Sequence, residues 1–213
     1  MSEPLRRLSV VDELADLLRA AILEGRLAAG SPLREIELTD SYGVSRHSLR
    51  AALRRLADEG LVRVEPHRGA RVASLDRAEL IGLFEVRTAL EVEAARLALE
   101  RHHGRVPEHV HAALRRLVAA TERTRPAWTD IARRHSDLHG AIVAAAGSSR
   151  LSSEYARLGA ELELFLLQIR PVWPPERMRT HHEELIAGLE GEGAEILRRH
   201  LREGEAAVLE AAT

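Results

Sequence analysis

Apolar residues in the first 60 positions recur at the spacing of short amphipathic helices. The first helix ends near Gly25, a second is predicted over 35–41, and Gly43 makes a turn after it. Ser45 can cap a third helix that runs to about residue 59. The pattern therefore predicts one helix followed by a helix-turn-helix.

Short strands are predicted next, at 61–64 and 71–73, because apolar and polar residues alternate there. The turn between them, 65–69, has Pro early and Gly late. Long helical patterns then follow at 76–102, 107–124, 127–146, 148–170, 175–190 and 193–210. We expect a mainly α protein with an N-terminal winged helix-turn-helix at residues 1–75 and a C-terminal antiparallel all-helical bundle of about six helices at 76–213.

Composition supports this fold and narrows the class of protein. The 213 residues are 45% hydrophobic but only 3% aromatic, so the core should pack helix against helix. Cysteine is absent, which excludes disulfides and thiolate metal sites. No segment resembles a signal peptide or a membrane span, so we expect a cytoplasmic protein.

The third helix and the hairpin carry a basic patch in a chain whose net charge is −2. From 43 to 73, seven Arg face three acids, a local charge of 7 − 3 = +4. Arg46 and Arg50 are four residues apart, so they project from one helix face, and a guanidinium matches both guanine edges and phosphates. Exposed Arg is common on any amphipathic helix. The hypothesis that this region binds DNA therefore depends on the order of a helix cap, a helix and a basic hairpin. The candidate DNA contacts are Ser45, Arg46, His47, Ser48, Arg50, Arg68 and Gly69.

Histidines in the predicted bundle lie inside apolar stripes. His139, His182 and His200 come from three helices, and His135 precedes His139 by one helical turn. A divalent metal would satisfy several buried imidazoles at once, and nitrogen donors without thiolates favour Zn²⁺ or Ni²⁺. The alternative is a set of histidines that are hydrogen-bonded separately within a polar core.

Arg87 also lies on an apolar stripe of the first long helix. A buried guanidinium needs a carboxylate, which is either a bound effector or Glu91 one turn further on. The sequence leaves both alternatives open.

Several motifs in the first 75 residues resemble the winged helix of the GntR family of bacterial transcription regulators. They occur in the family's order: Leu17–Gly25, Ala29–Leu33, Gly43–Arg46, Leu49–Leu53, Glu59–Val62 and Arg68–Val72. Ile36 departs from the pattern, because many relatives have a basic residue there that touches DNA. His47 and Ser48 replace the usual Thr-Pro pair, which leaves the operator sequence open.

Residues 78–210 resemble the FCD effector domain of the FadR subfamily. The motifs are 87–91, 135–139 followed by 144–147, 182–186 and 200–201. Many members bind a divalent metal there through an Asp or Asn and three His, and a carboxylate effector completes the site. The resemblance implies metal ligands at His139, His182 and His200, with His135 in place of the usual Asp and His181 as an alternative to His182. It also favours an effector as the partner of Arg87.

The sequence is thus interpreted as a homodimeric DNA-binding transcription regulator, a repressor of genes for a small organic acid. It would bind a palindromic operator, and a small carboxylate effector at a metal-containing site would control that binding. A metal-free effector-binding regulator is the nearest alternative. A metallohydrolase is a rival of another class, but Glu183 and Glu184 lack an HExxH-type arrangement. A helical scaffold that binds protein is a third, and the basic helix weighs against it.

Overall fold

The computed structural model describes residues 10–65 and 69–211. The chain divides into two compact units, with the boundary between Ser74 and Leu75. Within the described residues, the first unit combines helices with a small antiparallel sheet, and the second is helical throughout. The predicted mainly α class is confirmed. None of the described helices is long and apolar enough to cross a membrane.

The first unit is a winged helix. Its elements are α1 Val10–Leu23, β1 Pro32–Leu33, α2 Glu35–Tyr42, α3 Arg46–Asp58, β2 Val62–Glu65 and β3 Gly69–Val72. Strand β3 lies between β1 and β2 and pairs antiparallel with both. The sequence does not predict strand β1, because two residues are too few to show an alternating pattern. The predicted hairpin turn holds residues 66–68, which lie outside the described residues.

Helix α3 is held by an apolar core and by its caps. Buried apolar side chains on α1 and α3 are Leu14, Leu18, Ile22, Leu49, Leu53 and Leu56. Gly43 ends α2 in the left-handed region, with φ of 63°, and its N–H donates to the Thr39 carbonyl. The Ser45 hydroxyl accepts from the Ser48 N–H and caps α3. The start of α3 is therefore fixed by local sequence.

The second unit begins with one long helix that changes its pitch. Helix α4, Arg77–Arg87, continues through a π-helical segment, Thr88–Val92, into α5, Glu93–Arg101. The remaining helices are α6 Glu108–Thr121, α7 Trp128–Ala145, α8 Ser149–Ala156, α9 Gly159–Ile169, α10 Pro175–Glu192 and α11 Glu195–Ala211. The single helix predicted over 148–170 is wrong, because the chain breaks between α8 and α9 just before Gly159, a residue of low helix propensity.

The core of the second unit brings distant helices together. Helix α7 packs against α5 and α6, α10 packs against α6 and α11, and the π segment lies against α7 and α11. These elements bury polar side chains among apolar ones: Arg87, Glu91, His135, His139, His182 and His200. The interior of the helical unit therefore has a polar centre.

Candidate nucleic-acid interface and metal centre

The first turn of α3 has a positive charge, whereas the first turn of most helices has a negative one. It contains Arg46 and His47, both exposed, and no acidic residue. Acidic groups at this end typically stabilise a helix by about 0.3–1 kcal/mol through the helix dipole. Helix α3 forgoes that stabilisation and presents the Arg46 guanidinium beside the backbone N–H groups of its first turn. Such an end is suited to bind a phosphate.

Arg50 lies one turn further on and is also exposed, but it has a partner within the chain. Its Nε and Nη2 donate to the Glu35 carboxylate at 2.8 and 3.0 Å. This hydrogen-bonded guanidinium holds the pKa of Glu35 below its usual value. The Arg50 side chain is 62% exposed, and solvent-exposed ion pairs of this kind contribute little stability, so a phosphate or base edge can replace the carboxylate.

The other candidate DNA contacts differ in how far they are described. The hydroxyls of Ser45 and Ser48 lie 3.0 Å apart and serve the helix cap. Gly69 is exposed with φ of 82°, and a Cβ added there would meet nothing within 4 Å. Arg68 lies outside the described residues. On the sheet, Arg63 and Arg71 are directly opposite each other.

The second candidate site is the cluster of histidines in the helical unit. His135 and His139 come from α7, His182 from α10 and His200 from α11, and all four are buried. Burial lowers the pKa of His135, His182 and His200 well below 6.5. Burial also lowers the pKa of His139, although Glu91 opposes the shift. The rings are therefore neutral at pH 7, and each has one nitrogen lone pair.

Two of these rings have a defined tautomer. Nδ1 of His139 lies 2.6 Å from the Glu91 carboxylate, and Nδ1 of His182 lies 2.6 Å from the Met178 carbonyl oxygen. Both oxygens only accept, so both Nδ1 atoms carry the proton. The two Nε2 atoms, which keep the lone pairs, face each other at 3.3 Å. Without a cation between them this contact is repulsive.

The donor set fits a divalent metal. Two nitrogens of a tetrahedral site with metal–nitrogen bonds of about 2.0–2.1 Å lie roughly 3.3–3.4 Å apart, which matches the spacing between His139 and His182. Metal-bound histidines almost always donate their other N–H to a carboxylate or carbonyl, as both of these do. Nδ1 of His135 and Nδ1 of His200 are buried without a hydrogen-bond partner among the described residues, so they also need a ligand.

The predicted four-histidine set is divided into two overlapping groups. The inner triad is His135, His139 and His182, and the outer triad is His181, His182 and His200; the ligand atoms within each lie within 4.8 Å of one another. His200 thus groups with His181, which the sequence offered only as an alternative to His182. The sequence analysis does not predict this group, because no residue spacing within α10 or α11 shows how far one helix is displaced along the other.

Arg87 forms a buried ion pair beside the inner triad. Its Nε donates to Glu91 Oε1 at 2.7 Å, and its guanidinium lies over the rings of Phe84 and Phe165 at 5.0 and 5.5 Å. Burial would raise the pKa of Glu91, but Arg87 and His139 lower it more, to about 2. Of the two partners that the sequence leaves open for Arg87, the structure therefore contains Glu91. An effector contact by Arg87 stays a prediction.

A small cavity connects these groups. It is lined by residues that include Arg87, His135, His181, His182 and His200, and its volume is about 20 Å³. That volume holds one water-sized species. The cavity in this state admits an ion or a water molecule but not an organic acid.

A winged helix with a basic recognition helix, in one chain with a helical unit that has a buried polar centre, defines a DNA-binding transcription regulator. Residues 10–72 match the family of bacterial regulatory proteins named gntR, and residues 82–204 match the FCD domain. The chain belongs to the GntR family, and its second unit is an FCD domain.

Relatives with assigned names are regulators and not enzymes. A Paenarthrobacter nicotinovorans protein named "Probable D-xylose utilization operon transcriptional repressor" is 29% identical over 99% of this chain and 92% of its own length. The transcriptional repressor GlaR of Escherichia coli K12 is 31% identical over 86% of this chain and 89% of its own length. The chain is accordingly a transcription regulator.

Solved structures share the fold. A protein described as a transcriptional regulator, GntR, from Rhodococcus sp. RHA1 has a TM-score of 0.67 and 23% identity over 94% of this chain and 97% of its own. McbR/YncC of E. coli has a TM-score of 0.66 and 20% identity over 97% of this chain and 100% of its own. These similarities concern architecture alone.

Proposed function

We propose that this regulator is a homodimeric repressor whose affinity for a palindromic operator is controlled by a small carboxylate, bound at a divalent metal ion in the FCD domain. Its DNA-binding role follows from the family. The sensor role is supported above all by the Nε2 atoms of His139 and His182, which face each other at 3.3 Å with both Nδ1 protons engaged elsewhere.

The inner triad would hold the ion, and Zn²⁺ or Ni²⁺ suits its nitrogen donors. A bound divalent ion supplies positive charge that attracts a carboxylate effector. Glu91 holds the His139 ring in the orientation that aims Nε2 at the cluster. The carbonyl of Met178 does the same for His182.

Arg87 can bind an effector without releasing Glu91. A guanidinium has five N–H donors, and Glu91 accepts from Nε. Arg87 also lines the cavity, where an effector would meet its guanidinium. Because the cavity of about 20 Å³ is too small for an organic acid, effector binding must displace surrounding side chains. That displacement would couple effector binding to DNA affinity, a coupling typically of about 1–3 kcal/mol.

Repression and dimerisation are the remaining parts of the proposal. The Paenarthrobacter nicotinovorans relative and GlaR are both named repressors. A dimer presents two winged helices to a palindromic site, so that two small interfaces act together.

Metal content and ligand-induced stabilisation test the sensor role. We expect purified protein to contain about one Zn²⁺ or Ni²⁺ per chain, and a chelator to lower its melting temperature. Small mono- and dicarboxylates should raise the melting temperature of loaded protein and change its operator affinity. His139→Ala should strongly weaken metal binding, whereas His109→Ala, at an exposed histidine outside the cluster, should not. A metal-free protein that still responds to carboxylates would contradict the metal part alone, and no response at all would contradict the sensor role.

A further inference from the structure

His181 is a partly buried ligand group that the inner triad does not use. Its side chain is only 13% exposed, and its Nε2 lies 2.7 Å from the Glu203 carboxylate. A carboxylate oxygen only accepts, so Nε2 carries a proton, and Nδ1 is the ring nitrogen that can offer a lone pair to an ion. That Nδ1 atom is buried and has no hydrogen-bond partner among the described residues. His181 therefore has the same carboxylate–histidine arrangement as Glu91 and His139.

His181 belongs to the outer triad. The His181 ring stacks on that of His200, with centroids 4.1 Å apart, and the His182 and His200 centroids are 4.6 Å apart. His182 is common to both triads. Because its Nδ1 proton is bound to the Met178 carbonyl, it has one lone pair, so it can serve one ion at a time.

Exposure distinguishes the two triads. The side chains of His139 and Glu91 are 0% exposed, whereas those of His181 and Glu203 are 13% and 51% exposed. The outer triad is thus the side of the cluster that solvent reaches. An ion that entered the inner triad in one step would lose its hydration shell before it gained ligands, which is costly.

We propose that the outer triad is a metal-binding position of its own, through which a divalent ion enters and leaves the inner triad. Glu203 attracts the hydrated ion, His181 and His200 replace its first waters, and His182 is the ligand common to the outer and inner positions. This inference depends on the metal site proposed above. It assigns His181 and Glu203 a role in the rate of exchange, which the inner triad alone does not require.

The test is the rate at which chelator-treated protein takes up Co²⁺, followed by the visible absorption of the bound ion in a stopped-flow instrument. Wild-type protein should bind one Co²⁺ per chain. His181→Ala should still bind one at equilibrium, but uptake and chelator-driven release should both slow several-fold, because the ion must lose its first waters before it gains a ligand. Glu203→Gln should slow both rates without affecting the fold, because the side chain is half exposed. His109→Ala is the matched control.

A second comparison separates the two positions. His135→Ala removes a ligand of the inner triad alone, so it should still bind Co²⁺, more weakly, and adding His181→Ala should abolish that binding. Unchanged rates in both His181→Ala and Glu203→Gln would overturn the inference, and so would two ions per chain in the wild type. If wild-type protein binds no Co²⁺ at all, both the proposed metal site and the inference about the outer triad fail. If wild-type protein binds Co²⁺ but the variants exchange it at the wild-type rates, only the inference about the outer triad fails and the proposed metal site stands.

Discussion

Arg87 and Glu91 form an ion pair of 2.7 Å with side chains that are 2% and 0% exposed. Arg96 and Glu100 form a pair with the same four-residue spacing at 2.9 Å, but their side chains are 54% and 66% exposed. Removing one partner of a buried pair leaves an uncompensated charge in the interior, whereas water replaces the lost partner at the surface. Arg96 also pairs with Glu93, so the exposed pair is a control for the loss of one carboxylate at the surface.

Glu91→Gln should destabilise the FCD domain by about 3–5 kcal/mol, because Arg87 loses its counter-charge. Urea unfolding followed by tryptophan fluorescence measures this, since both tryptophans, Trp128 and Trp173, are in that unit. Glu100→Gln should leave the unfolding midpoint unchanged. Among molecules that remain folded, Glu91→Gln should also weaken metal binding by about 10–100-fold, because His139 is less firmly oriented. Equal stabilities of the two variants would show that the buried pair has no special role.

Arg46→Ala and Arg50→Ala should each weaken operator binding by about tenfold or more at fixed salt, because a bidentate base contact or a phosphate contact is lost. The fold should survive, since both side chains are exposed. Fluorescence anisotropy with labelled operator DNA measures the affinity, and circular dichroism checks the fold. Arg116→Ala, which removes the same charge from the other unit, should have little effect. Wild-type affinity in both recognition-helix variants would remove α3 from the DNA interface.

Glu35→Gln should tighten DNA binding several-fold, because the Glu35 carboxylate competes with phosphate for Arg50. The dependence of affinity on salt should also steepen, by about one in the logarithmic slope, since one more cation becomes available. Glu37→Gln is the control, because it removes the same charge from the same helix while Glu37 pairs with Arg34. If the two variants tighten binding equally, net charge explains the change and the specific pair does not.

The local fold of the winged helix could be predicted because its signals are local. Gly43 and Ser45 define the turn and the cap within three residues, and the structure begins α3 at Arg46 as the cap requires. Strand β1 could not be predicted, since its two residues are defined by pairing with β3, far along the chain. The π segment was missed for a related reason: its residues have an ordinary helical pattern.

The candidate metal centre was predicted in part. Apolar neighbours identified His139, His182 and His200 as buried, and burial is a property that helical periodicity can reveal. The division into two triads depends on how far α11 is displaced along α10, which no spacing within either helix encodes. The partnership of His181 with Glu203 depends on the same displacement.

Gly43→Ala tests whether the turn itself limits DNA binding. A Cβ at Gly43 would meet nothing within 4 Å, so the cost comes from the backbone alone, which has φ of 63°. An L-residue pays roughly 1–2 kcal/mol in this left-handed region, so the winged helix should lose about that much stability. Gly43→Asn should lose less, because asparagine tolerates the conformation. Hydrogen exchange of α3 amides measures the local loss for each variant. Operator affinity in folded protein should fall more for Ala than for Asn, because α3 is less firmly held, and equal exchange rates in the two variants would contradict the backbone explanation.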